Sequence, residues 1–184
     1  MLVCRRAVAP LVLMLGCLAQ SRVTADEFRS RGVHEHGSAT LEIALEGATL
    51  DIALHSPAIN VIGFEHEPRG PEEKAALAQA NRVFGSPQGL FLMPASAACA
   101  STGVTLTPIT YEHDGDDDKP GAPHADYDVS YRFHCAHSDQ LGWIEVRLFE
   151  RMKGMRKITA SVVTEMSQTQ FELTSDNARV TLRP

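Results

Sequence analysis

The feature that most constrains the fold is an alternation of apolar with polar or small residues between positions 41 and 54. Two runs of apolar residues, interrupted at Gly47, occupy every second position: Leu41, Ile43, Leu45, Leu50, Ile52 and Leu54. Successive side chains of a β-strand point to opposite faces, whereas a helical pattern would repeat every three or four residues. The alternation therefore predicts a β-hairpin with one apolar face.

Most of the remaining chain shows the same strand pattern. Further strands are predicted at residues 103–111, 127–135, 142–148, 157–164, 169–174 and 179–182. The connections between them are short, and short connections favour antiparallel pairing. Residues 148–155 fit either a short helix or a turn.

One clear helix is predicted, over residues 71–84. Pro71 suits the first helical position, two glutamates follow in the first turn, and Gly85 suits the end. The apolar side chains of this segment form a single stripe: Ala76, Leu77, Ala80, Val83 and Phe84. The predicted fold class is therefore α+β and strand-rich, with antiparallel sheets on which the helix packs through its stripe.

The first 25 residues have the features of a secretory signal peptide. Two arginines precede an apolar run at residues 7–15, which is shorter than the ~20 apolar residues of a transmembrane helix. A small-residue pattern ending at Ala25 predicts cleavage there, leaving residues 26–184 as one periplasmic domain with no transmembrane segment. A competing interpretation places cleavage before Cys17, which would leave a lipid-anchored cysteine.

Removal of the signal segment makes the protein distinctly acidic. It takes away three arginines and no acid, which leaves 14 basic against 23 acidic residues and a formal charge of −9. A negative surface repels nucleic acid and anionic lipid, and it raises the local concentration of cations. The charge therefore excludes nucleic acid as a partner and favours a metal ion.

Two cysteines, Cys99 and Cys135, remain after export. In an oxidising compartment such a pair most simply forms one disulfide. Two alternatives stay open: both thiols are unpaired, or Cys135 binds zinc with a neighbouring histidine. On a strand His137 shares a face with Cys135, whereas His134 points to the opposite face.

Residues 112–126 differ abruptly from the strands around them, because they are acidic, contain glycine and proline, and have no core-forming side chains. They are predicted to form a long solvated loop. Its candidate ligands for a divalent cation are His113, Asp114, Asp116 and His124. Calcium is disfavoured because, in an EF-hand alignment, Lys119 replaces the essential glycine and Ala125 the essential glutamate. An acidic loop that only confers solubility is an equal alternative.

A second metal candidate is the His-Glu-His-Gly motif at residues 34–37, immediately before the first strand. Residues two apart share a face of an extended chain, so His34 and His36 can chelate one ion. Two imidazoles alone bind zinc weakly, and further ligands must come from Glu65, His66 or the loop histidines. A solvated tail without a metal is the alternative interpretation.

These segments together resemble the ZrgA family of zinc-regulated periplasmic proteins. The resemblance rests on the motif at residues 34–37 with the strand after it, on residues 54–66, and on Tyr-Arg-Phe-His-Cys at residues 131–135. The run from Ser56 to His66 is its most specific part. The resemblance covers nearly the whole predicted mature chain.

The resemblance implies a role in zinc acquisition, with His34, His36 and His66 as zinc ligands. It also implies a histidine-rich insertion before the Tyr-x-Phe-x-Cys strand, which corresponds here to residues 113–124. Only two histidines stand in that segment, and aspartates take the other positions. Because carboxylates favour harder ions than imidazoles do, the loop is expected to bind zinc weakly and with less selectivity.

The sequence favours a non-catalytic protein that binds zinc for acquisition or buffering and passes it to a zinc importer or its binding protein. An enzyme is disfavoured because no further ligands follow the histidine motif and no serine elbow is present. A copper carrier is the runner-up, since His34 and His36 can join Met152, Met155 or Met166. A structural envelope module without metal is the third hypothesis. Copper is expected to bind in vitro in any case, because it outranks zinc at most nitrogen sites.

The two kinds of ligand predict different pH responses of zinc binding. An unperturbed histidine titrates near pH ~6.5, so a site built from His34, His36 and His66 loses zinc as the pH falls through that region. A carboxylate-dominated site in the loop keeps zinc down to about pH 4–5. Isothermal titration at neutral and mildly acidic pH is expected to show the tighter event disappearing first. Tight binding that persists into the carboxylate range would assign that event to the loop.

Overall fold

Two β-sheets form the scaffold of the protein in the computed structural model, which describes residues 35–113 and 123–182. The predicted signal segment, His34, Asp114 and Asp116 lie outside the described residues. The strands are β1 (Ser38–Glu46), β2 (Thr49–Pro57), β3 (Phe91–Leu92), β4 (Cys99–Leu106), β5 (Tyr111–His113), β6 (Pro123–Cys135), β7 (Trp143–Val146), β8 (Lys157–Thr164), β9 (Gln168–Leu173) and β10 (Arg179–Thr181).

Three α-helices interrupt the strands within these residues. They are α1 (Ala58–Ile62), α2 (Pro71–Phe84) and α3 (Leu148–Arg151). The bounds of α2 agree with the predicted helix, and α3 shows that the segment at 148–155 begins as a helix. In the described part of the chain no helix combines the length and the apolar character that a membrane span requires.

The larger sheet has seven strands and places the β1/β2 hairpin at its centre. Its order is β4, β6, β2, β1, β8 and β9, with β5 paired to β6, while β10, β7 and β3 form the smaller sheet. The central hairpin buries the predicted apolar face, since Leu41, Ile43 and Ile52 are almost fully inaccessible. The strand-rich fold and the hairpin are confirmed.

The prediction of purely antiparallel sheets is wrong at one pair of strands. β1 and β8 run parallel, with Ser38 opposite Lys157 and Leu45 opposite Thr164, whereas the other pairings in the described residues are antiparallel. The inference from short connections applies only to strands that follow each other in sequence. β1 and β8 are separated by most of the chain, so a crossover joins them.

Helix α2 packs on β6, as its apolar stripe predicts. Phe84 and Ala80 are buried, and the ring of Phe84 lies 5.0 Å from that of Tyr127 in β6. The Tyr127 hydroxyl donates a hydrogen bond to Asn81 Oδ1. Burial raises the pKa of Tyr127 to about 12, so this hydroxyl stays protonated and continues to donate at physiological pH.

Some predicted boundaries need correction. The predicted strand at 103–111 is two strands: β4 begins earlier, at Cys99, and β5 follows at Tyr111. The predicted loop at 112–126 is shorter, because β5 and the start of β6 pair as a hairpin, with Tyr111 opposite Ala125. Backbone hydrogen bonds build this ladder, so polar side chains do not prevent it. Helix α1 and the short strand β3 had no predicted counterpart.

The predicted disulfide is confirmed. Cys99 and Cys135 stand directly opposite each other in β4 and β6, and their sulfur atoms are 2.08 Å apart. A bonded sulfur is not a thiolate, so Cys135 is not a zinc ligand in this form. The bridge joins one end of an edge strand to the buried strand beside it.

Replacing both cysteines by serine is expected to lower the free energy of unfolding by about 4 kcal/mol, because the bridge closes a loop of 36 residues in the unfolded chain. Urea denaturation of the oxidised protein, the reduced protein and the double variant measures this loss. Zinc binding by the folded double variant is expected to be unchanged, because neither sulfur is a ligand. Mass spectrometry showing two free thiols without reduction would contradict the bridge.

Candidate metal site

The chain segment that carries His36 is anchored by one buried side chain, Asn60 of α1. The amide oxygen of Asn60 accepts the Gly37 N–H at 2.7 Å. Its amide nitrogen donates to the Ser38 carbonyl at 2.8 Å and to the Ser56 hydroxyl at 3.2 Å. Asn60 is only 3% exposed, and a buried amide with both ends satisfied orients the groups around it. The position of His36 therefore depends on α1.

Gly37 suits this turn because of its backbone conformation. Its φ of +92° lies in the left-handed region that side chains disfavour. A Cβ atom at this position would also displace the guanidinium group of Arg156, which is the end of a flexible side chain. The Gly37 carbonyl accepts the N–H groups of Arg156 and Lys157 at 2.8 and 2.9 Å, and Arg156 Nη2 donates to the His36 carbonyl at 2.9 Å. The turn is therefore held from the β8 side as well.

Glu35, between the two histidines of the motif, contacts Ser38 and Lys157. Its Oε2 accepts the Ser38 hydroxyl at 3.0 Å and lies 3.4 Å from Lys157 Nζ. The hydrogen bond from Ser38, and then that from Lys157, lowers the pKa of Glu35. Its carboxylate therefore makes local contacts with the start of β1 and β8 and is not paired with His36.

The carboxylate beside His36 is that of Glu65. His36 Nε2 lies 3.7 Å from Glu65 Oε2, and the side chains are 58% and 9% exposed, respectively. The other oxygen of Glu65, Oε1, is buried without a hydrogen-bond partner in the described part of the chain. Leaving such a group unsatisfied costs about 1–3 kcal/mol. The site thus joins an open imidazole to a buried, incompletely satisfied carboxylate.

Glu65 reaches this position because α1 ends in a tight turn. Gly63 adopts a left-handed conformation with φ of +89°, and its N–H donates to the Ile59 carbonyl at 3.1 Å. This is the usual glycine end of a helix. The chain then reverses, so Phe64 and Glu65 return towards the start of β1. The same short helix therefore positions both members of the pair, through Asn60 and through Gly63.

His66 is directed to a different carboxylate. Its Nδ1–H donates to the Glu67 carbonyl at 2.9 Å, which leaves Nε2 as the available lone pair. Nε2 lies 3.8 Å from Glu73 Oε1 in α2, and the imidazole stacks on Phe64 with ring centroids 5.2 Å apart. The other oxygen of Glu73 accepts the Arg69 N–H at 2.6 Å.

The described residues bring the predicted ligands together only in pairs. Within residues 35–113 and 123–182, no three His, Cys, Asp or Glu side chains are close enough to hold one metal ion. His36 lies with Glu65 and His66 with Glu73. His34 lies outside the described residues, so convergence of the three imidazoles stays a prediction.

The predicted loop ligands stand at the ends of β5 and β6. In backbone register, His113 is opposite Pro123 and His124 is opposite Glu112; Asp114 and Asp116 lie outside the described residues. At the other end of β5, burial and then the carboxylate of Glu67 raise the pKa of Tyr111.

His55 belongs to a separate polar cluster on the large sheet. Its Nδ1 is 2.7 Å from Asp128 Oδ1, and its Nε2 is 4.0 Å from Asp126 Oδ1. The two ring nitrogens face two different carboxylates, an arrangement typical of a hydrogen-bonded surface histidine.

A family model described as ZrgA family zinc uptake protein matches residues 33–182. The chain belongs to the ZrgA family. The match begins just before the histidine motif, and it includes Glu65, Glu73 and both bonded cysteines. No curated protein matched the sequence. Membership of the ZrgA family associates the chain with zinc, and the match gives no support to copper.

Two residues that shape the site were not assigned from the sequence. Asn60 is a polar residue inside the otherwise apolar segment of α1, and such a residue signals a buried hydrogen-bond role. From the sequence, Glu65 was only one of several residues that could supply a further metal ligand. Its place in the sequence does not show which histidine lies beside it.

The hydrogen bonds of Asn60 predict a stability effect. Replacing Asn60 by alanine leaves the Gly37 N–H and the Ser38 carbonyl without this partner, so the free energy of unfolding is expected to fall by about 2–4 kcal/mol. Urea denaturation measures the loss. Asn60→Asp keeps an acceptor for Gly37 but buries an unpaired carboxylate oxygen against the Ser38 carbonyl, so it is expected to lose at least as much. An alanine variant as stable as the parent would show that the amide does not hold the turn.

Proposed function

We propose that the protein is a periplasmic, non-catalytic zinc-binding protein that captures zinc and passes it on for uptake. The match to the ZrgA family carries this proposal. The geometry adds a place for the ion, because His36 presents an exposed imidazole beside the buried carboxylate of Glu65. Imidazole nitrogen and carboxylate oxygen are both common zinc ligands.

The spacing of this pair suits a shared ion. Two ligand atoms of a tetrahedral zinc site with bonds of ~2.0–2.1 Å are roughly 3.3 Å apart. The 3.7 Å between His36 Nε2 and Glu65 Oε2 exceeds this value only slightly, and the exposed imidazole has room to move inwards. In the proposal His34, two residues before His36, supplies a third ligand.

Reversible capture follows from an incomplete site. A closed site with four protein ligands would hold zinc as part of the structure, whereas an open site leaves positions for water or for a ligand of the recipient. His36 is largely exposed, so a recipient can reach the ion. In the proposal the recipient is a zinc importer or its binding protein, and the acidic segment at 112–126 collects cations weakly.

The proposal of a non-catalytic role is supported by the chemistry of the chain. The sequence has no glycine-flanked serine of the elbow type. The cysteines of the predicted mature chain are joined to each other. The histidine motif therefore stands without the nucleophile that a hydrolase of that type would need.

The structure weakens the copper hypothesis. Met152 and Met155, which were considered as soft ligands, are 5% and 4% exposed and belong to the hydrophobic core. Met166 is 85% exposed and lies between β8 and β9. Two of the three thioethers therefore serve packing, as methionines in cores generally do.

Replacing His36 by alanine is expected to weaken the tighter zinc-binding event by at least about 100-fold. Changes outside the ligand shell already cost 10–100-fold, and this change removes a ligand. Isothermal titration at neutral pH measures the effect. His137→Ala is the matched control, because this exposed histidine lies at a turn after β6 and is expected to leave binding unchanged.

The parent protein and the His36 variant can also be purified from the periplasm under zinc limitation and their metal content compared. Zinc in the parent and its loss in the variant are expected. Unchanged tight binding in His36→Ala would remove this histidine from the site. A parent protein with no enrichment of any metal would favour an interaction module.

A further inference from the structure

We propose that Glu65 is a direct zinc ligand, and that the bound ion compensates the charge of a buried carboxylate whose Oε1 lacks a hydrogen-bond partner among the described residues. This inference rests on the proposed zinc function and names the second ligand of the site at His36. It differs from the sequence prediction, in which three histidines form the tight site and no glutamate is assigned to it.

The first observation is the burial of Glu65. Its side chain is 9% exposed, and its Oε1 has no hydrogen-bond partner within the described residues. A buried carboxylate is normally paired, hydrogen-bonded or bound to a metal, because desolvation of an unpaired charge is unfavourable. Oε1 of Glu65 thus lacks a hydrogen-bond partner among the described residues, and Oε2 faces the His36 ring.

The second observation is the distance between the two side chains. At 3.7 Å, His36 Nε2 and Glu65 Oε2 are too far apart for a good hydrogen bond. An ion about 2.0–2.1 Å from each atom spans this gap with an angle somewhat wider than tetrahedral. The burial of Glu65 and its spacing from His36 are independent observations. A cation bound to Oε2 and to the His36 ring would fill the gap and compensate the charge of the buried carboxylate.

The rival explanation is a simple ion pair between Glu65 and a protonated His36. The two explanations differ in what happens when the glutamate loses its charge. An ion pair predicts that zinc binding survives, since Glu65 would then supply no ligand atom to the metal. Direct ligation predicts that zinc binding is lost, because an amide oxygen is a poorer zinc ligand than a carboxylate.

The chain contains a matched control, the pair formed by His66 and Glu73. Their closest nitrogen and oxygen are 3.8 Å apart, nearly the same spacing as at His36. Glu73 differs in that its Oε2 accepts the Arg69 N–H at 2.6 Å and its side chain is 34% exposed. Glu73 therefore does not need an ion to satisfy a buried oxygen. The same Glu→Gln change can be made in both pairs.

The test compares Glu65→Gln with Glu73→Gln in the full exported protein, using zinc alone as the titrant. Isothermal titration at neutral pH is expected to show at least about tenfold weaker tight binding for Glu65→Gln, since metal-site changes commonly cost 10–100-fold. Glu73→Gln is expected to match the parent. Binding equal to the parent in Glu65→Gln, or an equal loss in both variants, would overturn the inference.

Thermal unfolding of metal-free protein shows whether a loss of binding reflects misfolding. Because Glu65→Gln removes a buried charge, the metal-free variant is expected to unfold at the same temperature as the parent or higher. Excess zinc is expected to raise the melting temperature of the parent and of Glu73→Gln more than that of Glu65→Gln. An equal rise in all three proteins would overturn the role of Glu65.

The His36 variant separates this inference from the proposed function. Loss of tight binding in His36→Ala with full binding in Glu65→Gln would leave the zinc function at His36 in place and reject Glu65 as a ligand. Full binding in both variants would reject the site itself. Loss in both, with binding retained in Glu73→Gln, is the expected result.

Discussion

The buried amide of Asn60 is the interaction on which the candidate site depends. It accepts the Gly37 N–H and donates to Ser38 and Ser56, so it joins the start of β1 to the end of β2 through α1. A Cβ on Gly154 would come within 2.7 Å of the Asn60 carbonyl oxygen, so the chain leading to β8 also requires a glycine here. Three stretches that are separate in sequence, around residues 37–38, 56–60 and 154, are therefore held together at the point where His36 emerges from the fold.

The pair formed by His36 and Glu65 combines two properties that reversible zinc binding requires. The imidazole is exposed and can be reached by water or by a recipient, whereas the carboxylate is held in place by its burial. A fixed, poorly solvated carboxylate attracts a cation strongly, and an open coordination position lets the cation leave. The negative charge of the chain adds a long-range attraction for cations, which weakens as salt is added.

Several features were predictable because they depend on neighbours in sequence. The alternation around Leu41 and Ile52 predicted the central hairpin, and Pro71 with Gly85 predicted both ends of α2. The cysteine pair predicted the bridge, since only two cysteines follow the predicted signal segment. The acidic composition of residues 112–126 predicted a loop that was too long, because backbone pairing of β5 with β6 does not depend on apolar side chains.

By itself, the sequence determined the strand-rich class and the place of the main helix, because periodicity and helix-end residues act over short distances. It also predicted the disulfide that the structure confirms, and it named candidate histidines for a metal. Only the tertiary structure decided which carboxylate stands beside which histidine. Glu65 meets His36 because Gly63 reverses the chain after α1 and Asn60 holds the opposite turn. Such a meeting depends on packing between distant segments, as does the parallel pairing of β1 with β8, and no local pattern encodes it.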